Sequence, residues 1–263
     1  MSVILKYAVG VEYCGSNYCG WQFQKHCRSV QGEVEKALSF VADHPVSLIC
    51  AGRTDAGVHA VEQVVHFESS SKRDNRAWML GSNCRLPKDI RLKWVCPVDS
   101  EFHARYSALA RSYRYIILNT QTPSGLFSDR CCWEFRPLDQ DAMHESAKSL
   151  LGEHDFSAFR AAGCQAKSAN RNVKEIRVSR RNKMLYLDIK ANAFLYHMVR
   201  NIAGSLMTVG KGEKPVNWVA EVLASGNRNL AAKTAPAGGL YFVKSWYPEQ
   251  FILPHSELTP VLF

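Results

Sequence analysis

The chain has 263 residues, of which 46% are hydrophobic and 22% charged, and its formal net charge is +9. This composition excludes a disordered chain, and the length suits two small domains better than one. No stretch approaches the roughly twenty apolar residues that a membrane-spanning helix requires, so we expect no membrane partner. The positive charge favours a polyanionic partner such as nucleic acid, although charge alone does not identify one.

The nine cysteines are irregularly spaced, without a Cys-x-x-Cys pair and without Cys and His at zinc-finger spacing. We therefore expect buried free thiols in a reducing cytoplasm and no metal site. Residues 2–13 carry Lys6 and Glu12 inside an apolar run and offer no small-residue cleavage site. This pattern predicts a first β-strand and not a signal peptide.

Taken in chain order, the first half predicts the element order β-α-β-β-α-β. Ser29 is a favourable N-cap, and apolar residues follow it at helical spacing. A second, shorter helix is expected over 77–84. The four strands of this half are expected at 3–9, 46–50, 61–67 and 91–98.

The second half repeats this order. Asp139 can cap its first helix, a second helix is expected over 197–209, and 120–136 and 160–171 are expected to be surface loops. Its strands are expected at 108–118, 173–178, 184–189 and 240–246. The repeat predicts an α+β fold of two ferredoxin-like, RRM-like halves packed around a central, mostly antiparallel sheet, with a catalytic cleft between them. We place the halves at 1–104 and 105–263.

A glycine-flanked loop between two apolar runs carries the densest chemistry in the chain. Residues 51–60 read Ala-Gly-Arg-Thr-Asp-Ala-Gly-Val-His-Ala. By local pattern alone, Asp55 is most simply a turn residue that hydrogen-bonds its own backbone. If the Asp55 carboxylate instead lies in a partly dry pocket and must stay ionised, it needs a cation or several hydrogen bonds that hold its pKa down.

This ten-residue string resembles, residue for residue, the signature loop of the TruA family of tRNA pseudouridine synthases. Two further blocks at 110–115 and 190–201 extend the resemblance over nearly the whole chain. The resemblance implies that Asp55 is the catalytic nucleophile and that Arg200 is the basic residue that pairs with it. Without the family, Arg200 would equally suit a solvated helix surface.

The same resemblance implies three substrate-binding residues. Tyr113 would stack on the target uracil, Leu240 would cover the opposite side of the base, and Arg53 would take the place of the flipped nucleotide. Each also has a structural interpretation: a strand aromatic, a buried strand leucine, and a loop arginine that only pairs with Asp55. For His59, close to Asp55 in sequence, we expect a structural role.

One position departs from the family pattern. The loop that usually reads Tyr-Asp-Gly is here Tyr13-Cys14-Gly15. The missing acid puts in doubt the hydrogen bond or RNA contact that it makes, and leaves the catalytic set intact.

The resemblance further implies that uridine is isomerised to pseudouridine at positions 38, 39 and 40 of the tRNA anticodon arm. The N1 glycosidic bond breaks and C5 bonds to C1′, so that neither a cofactor nor a metal is required. P-loop and dinucleotide-binding fingerprints are absent as well. We expect tRNA and not DNA as the partner, a homodimer, and a cytoplasmic location.

Two other classes compete with this prediction. A non-catalytic RNA-binding protein of paired RRM-like halves fits the charge and the fold, but the aromatic RNP1 string is absent and Asp55 would have no purpose. An Asp-dependent hydrolase lacks a plausible second carboxylate in a recognised motif.

Overall fold

The computed structural model describes residues 4–255, which form two compact units. The first unit comprises 4–111 together with 241–255, and the second comprises 112–240. Each unit has its own mostly antiparallel strands, and helices are present in both, which confirms the predicted α+β class. Among the helices of residues 4–255, none combines the length and the hydropathy of a membrane span.

The elements of the first unit are β1 (Leu5–Tyr13), α1 (Val30–Ala42), β2 (Ile49–Cys50), β3 (His59–Ser69), α2 (Asn75–Asn83), β4 (Ile90–Val98) and β10 (Leu240–Trp246). Four of the strands lie in the order β4-β1-β3-β10, with β2 also paired to β3. Strand β1 is antiparallel to β3 and β4, β2 is antiparallel to β3, and β10 is parallel to β3. From β1 to β4 this is the predicted order β-α-β-β-α-β.

Capping and aromatic packing fix the helices of this unit. The Ser29 side chain accepts a hydrogen bond from the Gly32 N–H, as expected of an N-cap. In the core, the Trp78 ring lies edge-on to Phe67 with centroids 5.1 Å apart, and Phe67 stacks on Tyr7 at 5.3 Å. All three rings are buried, so α2 is packed onto β1 and β3 by aromatic contact.

The elements of the second unit are β5 (Ala110–Asn119, beginning at the end of the first unit), β6 (Cys132–Glu134), α3 (Gln140–Lys148), β7 (Gly152–Asp155), β8 (Asn170–Arg181), β9 (Met184–Ala191), α4 (Met198–Gly210) and α5 (Trp218–Ser225). Four of the strands lie in the order β5-β9-β8-β7, with β6 paired to β5. Strand β8 is antiparallel to β7 and β9, and β6 is parallel to β5.

Most predicted elements lie within a few residues of the observed ones, and the differences have local causes. The strand predicted at 46–50 is reduced to β2, because the chain before it is held by α1 side chains: Ser39 Oγ accepts from the Val46 N–H and Glu35 from the Leu48 N–H. Strands β6 and β7 and helix α5 were not predicted. Val3, the predicted start of the first strand, lies outside the described residues.

The observed units also divide the chain differently from the predicted boundary between 104 and 105. The last strand, β10, pairs with β3 through Tyr241 opposite His59 and Phe242 opposite Ala60. This pairing assigns the chain from Tyr241 onward to the first unit. The first unit therefore contains residues from both ends of the chain.

The prediction of free, buried cysteines is wrong for one pair. Cys19 and Cys27 form a disulfide with their Cα atoms 6.2 Å apart. The Cys19 N–H donates to the Arg28 carbonyl, and Gln24 forms a β-bridge with Cys27, so the loop turns back and brings the two residues within disulfide range. Burial also holds only in part, because Cys84 is exposed.

Candidate active site

The loop 51–60 lies between β2 and β3 and carries Asp55 with its side chain half-buried. Arg53 is exposed in the same loop, whereas Thr54 between them is buried. Gly57 has a φ of 78°, a conformation that favours glycine. The Val58 N–H then donates to the Asp55 carbonyl at 3.1 Å. The loop thus presents a carboxylate from a tight, hydrogen-bonded turn.

Two long side chains hold the entrance to this loop. The side-chain amide of Gln63 forms two hydrogen bonds with the backbone of Gly52, accepting from its N–H at 3.3 Å and donating to its carbonyl at 2.5 Å. Arg111 donates from Nε and Nη2 to the Ala51 carbonyl at 3.2 and 3.0 Å. Because both residues are anchored in strands, the loop starts from a fixed position.

The centre of the loop is held through Thr54. Its hydroxyl lies 2.7 Å from the Tyr13 hydroxyl, and its carbonyl accepts from the Trp21 N–H at 3.0 Å. Burial raises the pKa of Tyr13 above its usual range, so the phenol keeps its proton. A side chain at Gly20 would clash, since its Cβ would lie 2.6 Å from the Thr54 carbonyl oxygen. The loop 14–28 therefore packs directly on the backbone beside Asp55.

His59 follows the loop and is buried at the start of β3. Its Nδ1 accepts from the Gly15 N–H at 3.1 Å, and its ring stacks on Tyr241 with centroids 4.7 Å apart. An Nδ1 that accepts a hydrogen bond carries no proton. These contacts agree with the expected structural role for His59.

Cys14, which departs from the family pattern, lies in the same part of the first unit. Burial alone would raise the pKa of the Cys14 thiol, but hydrogen bonds with His59 and Ser16 outweigh it and lower the pKa to about 6. The Ser16 hydroxyl lies 3.4 Å from the Cys14 sulfur. The lowered pKa favours the negatively charged thiolate at the position where the family has an acid.

In the second unit, Tyr113 is carried by β5 and is 9% exposed. The Phe194 ring lies edge-on against it, at 80° and 4.9 Å between centroids. Next to it, Arg114 forms a bidentate ion pair with Asp188 at 2.6 and 2.8 Å. This pair fixes β5 against β9 at the residue adjacent to Tyr113.

Arg200 lies in the first turn of α4 and is half-buried, whereas Met198 and Ile202 are fully buried. Arg200 therefore lies off the apolar face of the helix. The Arg200 Nε donates to the Ala235 carbonyl at 2.8 Å, and the Ala235 N–H donates to the Arg200 carbonyl at 3.1 Å. The guanidinium is therefore oriented by the segment that follows α5.

Asn201 ties the same region together. Its Nδ2 donates to the Phe159 carbonyl at 2.8 Å, and its Oδ1 accepts from Thr234 at 2.6 Å and from Arg228 at 3.1 Å. Asn201 is completely buried. A buried amide with this many partners holds the start of α4 rigidly.

Leu240 is 5% exposed and begins β10 directly after a short 3₁₀ turn, Ala237–Gly239. The Tyr115 hydroxyl donates to the Pro236 carbonyl at 2.8 Å, and a Cβ on Gly239 would lie 2.7 Å from the Tyr115 ring. The segment 235–240 thus contacts Arg200 through Ala235 and contacts β5, the strand of Tyr113, through Pro236. Tyr113, Arg200 and Leu240 belong to the second unit, and Asp55 and Arg53 to the first.

Two other features of the described residues bear on the chemistry. Within 4–255, no three His, Cys, Asp or Glu side chains are grouped so as to hold a metal ion. A cavity of about 460 Å³ opens on residues 161–162, 228–229 and 231–234. None of the five predicted site residues lines this cavity, so it does not mark the candidate active site.

Comparison with known proteins decides the family. A family model described as tRNA pseudouridine synthase matches residues 10–107 and 146–248. The chain belongs to the tRNA pseudouridine synthase family. The resemblance seen in the sequence and the assignment to an isomerase are thereby confirmed. A non-catalytic RNA-binding protein and a hydrolase are not supported.

Relatives match over nearly their whole length. The chain is 56% identical over 256 residues to tRNA pseudouridine synthase A of Hydrogenovibrio crunogenus, covering 97% of this chain and 98% of the relative. It is 54% identical to that of Aeromonas hydrophila and 52% identical to that of Escherichia fergusonii, each over 98% of this chain and 96% of the relative. A chain of the solved Cbf5–Nop10–Gar1 complex aligns with 89% of this chain and 57% of its own length, at 11% identity and a TM-score of 0.33, too distant to bear on function.

The sequence pattern did not identify the residues that hold the Asp55 loop, above all Gln63 and Tyr13. A signal was present in β3, where Glu62, Gln63 and His66 interrupt an apolar run. All three are buried. Buried polar side chains are normally hydrogen-bonded, so each of them indicates a partner elsewhere in the protein.

Proposed function

We propose that the chain converts uridine to pseudouridine at positions 38, 39 and 40 of the tRNA anticodon arm, with Asp55 as the nucleophile. The observation that carries the proposal is the Asp55 loop, where a half-buried carboxylate is presented by a turn held at Gly52 and Thr54. A nucleophile must be held within reach of its target, and a fixed loop lowers the cost of reaching that geometry.

In the proposed reaction the Asp55 carboxylate assists cleavage of the bond between N1 and C1′. The uracil turns while still held, C5 bonds to C1′, C5 loses a proton and N1 gains one. No electrons leave the substrate and no group is transferred to another molecule. The reaction therefore requires neither a redox cofactor nor a metal.

Arg200 supplies positive charge to this reaction. An arginine cannot lose its proton in a protein, so it favours the ionised form of a carboxylate at any working pH. Support comes from the bond between the Arg200 Nε and the Ala235 carbonyl, which fixes the orientation of the guanidinium.

Tyr113 and Leu240 hold the uracil, and Arg53 fills the space of the flipped nucleotide. In this proposal a face of the Tyr113 ring, against which Phe194 packs edge-on, stacks on the uracil. Stacking of a base on an aromatic ring is worth about 1–3 kcal/mol, which offsets part of the cost of removing the base from its helix. The exposure of Arg53 in the loop of Asp55 supports this role, in which Arg53 enters the RNA together with that loop.

We further propose that the protein acts as a homodimer in the cytoplasm, as the family resemblance implies. Its net charge of +9 suits a tRNA partner, because phosphate contacts dominate such interfaces.

The proposal is tested by mapping pseudouridine in an unmodified tRNA transcript after reaction with the purified chain. We expect new pseudouridine at positions 38, 39 or 40, wherever the transcript has uridine there, and none with Asp55→Asn protein. Three stem-loops, each with a single uridine at one of these positions, would show which are substrates. Modification confined to another arm of the tRNA would contradict the assignment.

A further inference from the structure

We propose that Gln63 is a positioning residue for Asp55, acting through the backbone of Gly52; the proposal rests on the proposed role of Asp55. Gln63 touches no reacting atom in this account. Its function is to set where the loop 51–60 leaves the sheet, and therefore where the carboxylate three residues later is presented.

The strand pairing shows why a side chain is needed at this point. Strand β2 pairs with β3 through Ile49 opposite His66 and Cys50 opposite Val65. The Ala51 N–H still bonds to the Val64 carbonyl at 2.8 Å. The next position in this register would bring Gly52 opposite Gln63, but β2 has already ended.

At Gly52 the Gln63 side chain makes the hydrogen bonds that a neighbouring strand's backbone makes elsewhere in the sheet. A primary amide carries one carbonyl and N–H donors, as a peptide group does, and both are used: Oε1 accepts from the Gly52 N–H and Nε2 donates to its carbonyl. Gln63 is completely buried, and its own backbone lies opposite Val11 of β1. The two hydrogen bonds to Gly52 are therefore made by a side chain that is fixed in the interior of the sheet.

A second side chain holds Thr54. The buried Tyr13 hydroxyl is hydrogen-bonded to the Thr54 hydroxyl at 2.7 Å. Two of the three residues before Asp55 are thus held by side chains from the strands, Gly52 by Gln63 and Thr54 by Tyr13. A displacement of about 1 Å at a reacting group can lower a rate about 100-fold.

The decisive variant is Gln63→Met, which keeps the length of the side chain and removes both hydrogen bonds. We expect its single-turnover rate of uridine isomerisation to fall about 10- to 100-fold, with tRNA affinity within about 2-fold of the unaltered protein. Amide hydrogen exchange at Gly52 and Thr54 should become faster in the free protein. Gln63→Glu, which can accept from the Gly52 N–H but has no N–H to donate, serves if Gln63→Met does not fold.

Asn83 provides the matched control. Its side-chain amide grips the backbone of Leu92 in the same two-point way, at 2.9 Å for each bond, but it connects α2 to β4, which carry no candidate site residue. Asn83→Leu should lower thermal stability as Gln63→Met does and leave the isomerisation rate unchanged. Tyr13→Phe should have a smaller effect than Gln63→Met, and the double variant should lose less than the product of the two.

Unchanged exchange at Gly52, or a normal rate in Gln63→Met protein, would overturn the proposal. An equal rate loss in Asn83→Leu protein would also overturn it, because general destabilisation would then explain both. The exchange measurement does not depend on activity. If Asp55→Asn protein proved active, the proposed function would fail, whereas the exchange data would still decide whether Gln63 anchors the loop.

Discussion

Arg200 and Ala235 exchange two hydrogen bonds: the Arg200 Nε donates to the Ala235 carbonyl at 2.8 Å, and the Ala235 N–H donates back at 3.1 Å. The first bond depends on the planar geometry of the guanidinium donors as well as on its positive charge. Lysine has a single flexible ammonium group and cannot reproduce this geometry.

We therefore expect Arg200→Lys to lower the isomerisation rate about 10-fold and Arg200→Ala about 100-fold or more, in the range found when one electrostatic donor is removed from an active site. Single-turnover kinetics at saturating protein would measure both. Arg136→Lys is the control, since Arg136 in the same unit pairs with Glu134 and Glu213 and is not a candidate site residue. Full activity of the Arg200→Ala variant would show that Arg200 takes no part in the reaction.

Tyr113→Phe and Tyr113→Ala should differ in kind. Phe keeps the aromatic face and the contact with Phe194, so tRNA affinity should be retained, whereas Ala should lose about 1–3 kcal/mol of base stacking. Binding titrations and rates on the same stem-loop would separate the two effects. Tyr186→Ala, which removes another buried strand tyrosine of this unit, controls for the loss of core packing. If Phe proved as inactive as Ala while binding normally, the hydroxyl would take part in the chemistry.

The thiol of Cys14 should react as a thiolate at neutral pH. Its pKa is lowered from 9.0 to about 6 by hydrogen bonds with His59 and Ser16 that outweigh the opposing effect of burial, so alkylation by iodoacetamide should have its midpoint near pH 6. Because the folded-state pKa is depressed, the stability that the thiolate contributes is complete above about pH 9. It is lost as the pH falls towards 6.

Peptide-level mass spectrometry would follow Cys14 labelling against pH. Ser16→Ala should shift the midpoint upward, because the hydroxyl 3.4 Å from the sulfur no longer stabilises the thiolate. A midpoint between pH 8 and 9 in the unaltered protein would contradict the prediction.

The disulfide between Cys19 and Cys27 should stabilise the fold by about 2–3 kcal/mol, as the loop-entropy relation gives for a loop this short. Dithiothreitol should lower the free energy of unfolding of the unaltered protein to that of a Cys19→Ser, Cys27→Ser double variant. Cys84→Ser, at an exposed free thiol, should have no such effect. Nine titratable thiols in denaturant without reductant would show that the disulfide is absent.

The sequence predicts the fold where the pattern is local. The helix after Ser29 and the helix carrying Arg200 both follow from apolar residues at helical spacing and from a cap or a flanking loop. The order of the first unit follows from turn residues between apolar runs. What it could not predict depends on distant residues: β10 pairs with β3 across more than half of the chain, and the disulfide follows from the course of one loop.

The same distinction holds for the candidate site. Asp55, Arg200 and Tyr113 were selected because they match family motifs, and their roles stay proposals. Tyr13 and Arg111 could not be selected, because their contacts with the loop span many residues of sequence: 60 residues separate Arg111 from Ala51, and 41 separate Tyr13 from Thr54. Gln63 lies only 11 residues from Gly52 and carried a signal as a polar residue in an apolar run. Only the folded chain brings these groups together.

Asp55→Asn tests the central claim most directly. The change keeps shape and hydrogen-bonding reach but removes the negative charge and nearly all nucleophilicity. A single-turnover assay beside a filter-binding titration should show isomerisation below detection with tRNA affinity close to that of the unaltered protein, because one small side chain contributes little to a broad basic interface. Appreciable turnover by well-folded Asp55→Asn protein would contradict the assignment of Asp55 as the nucleophile.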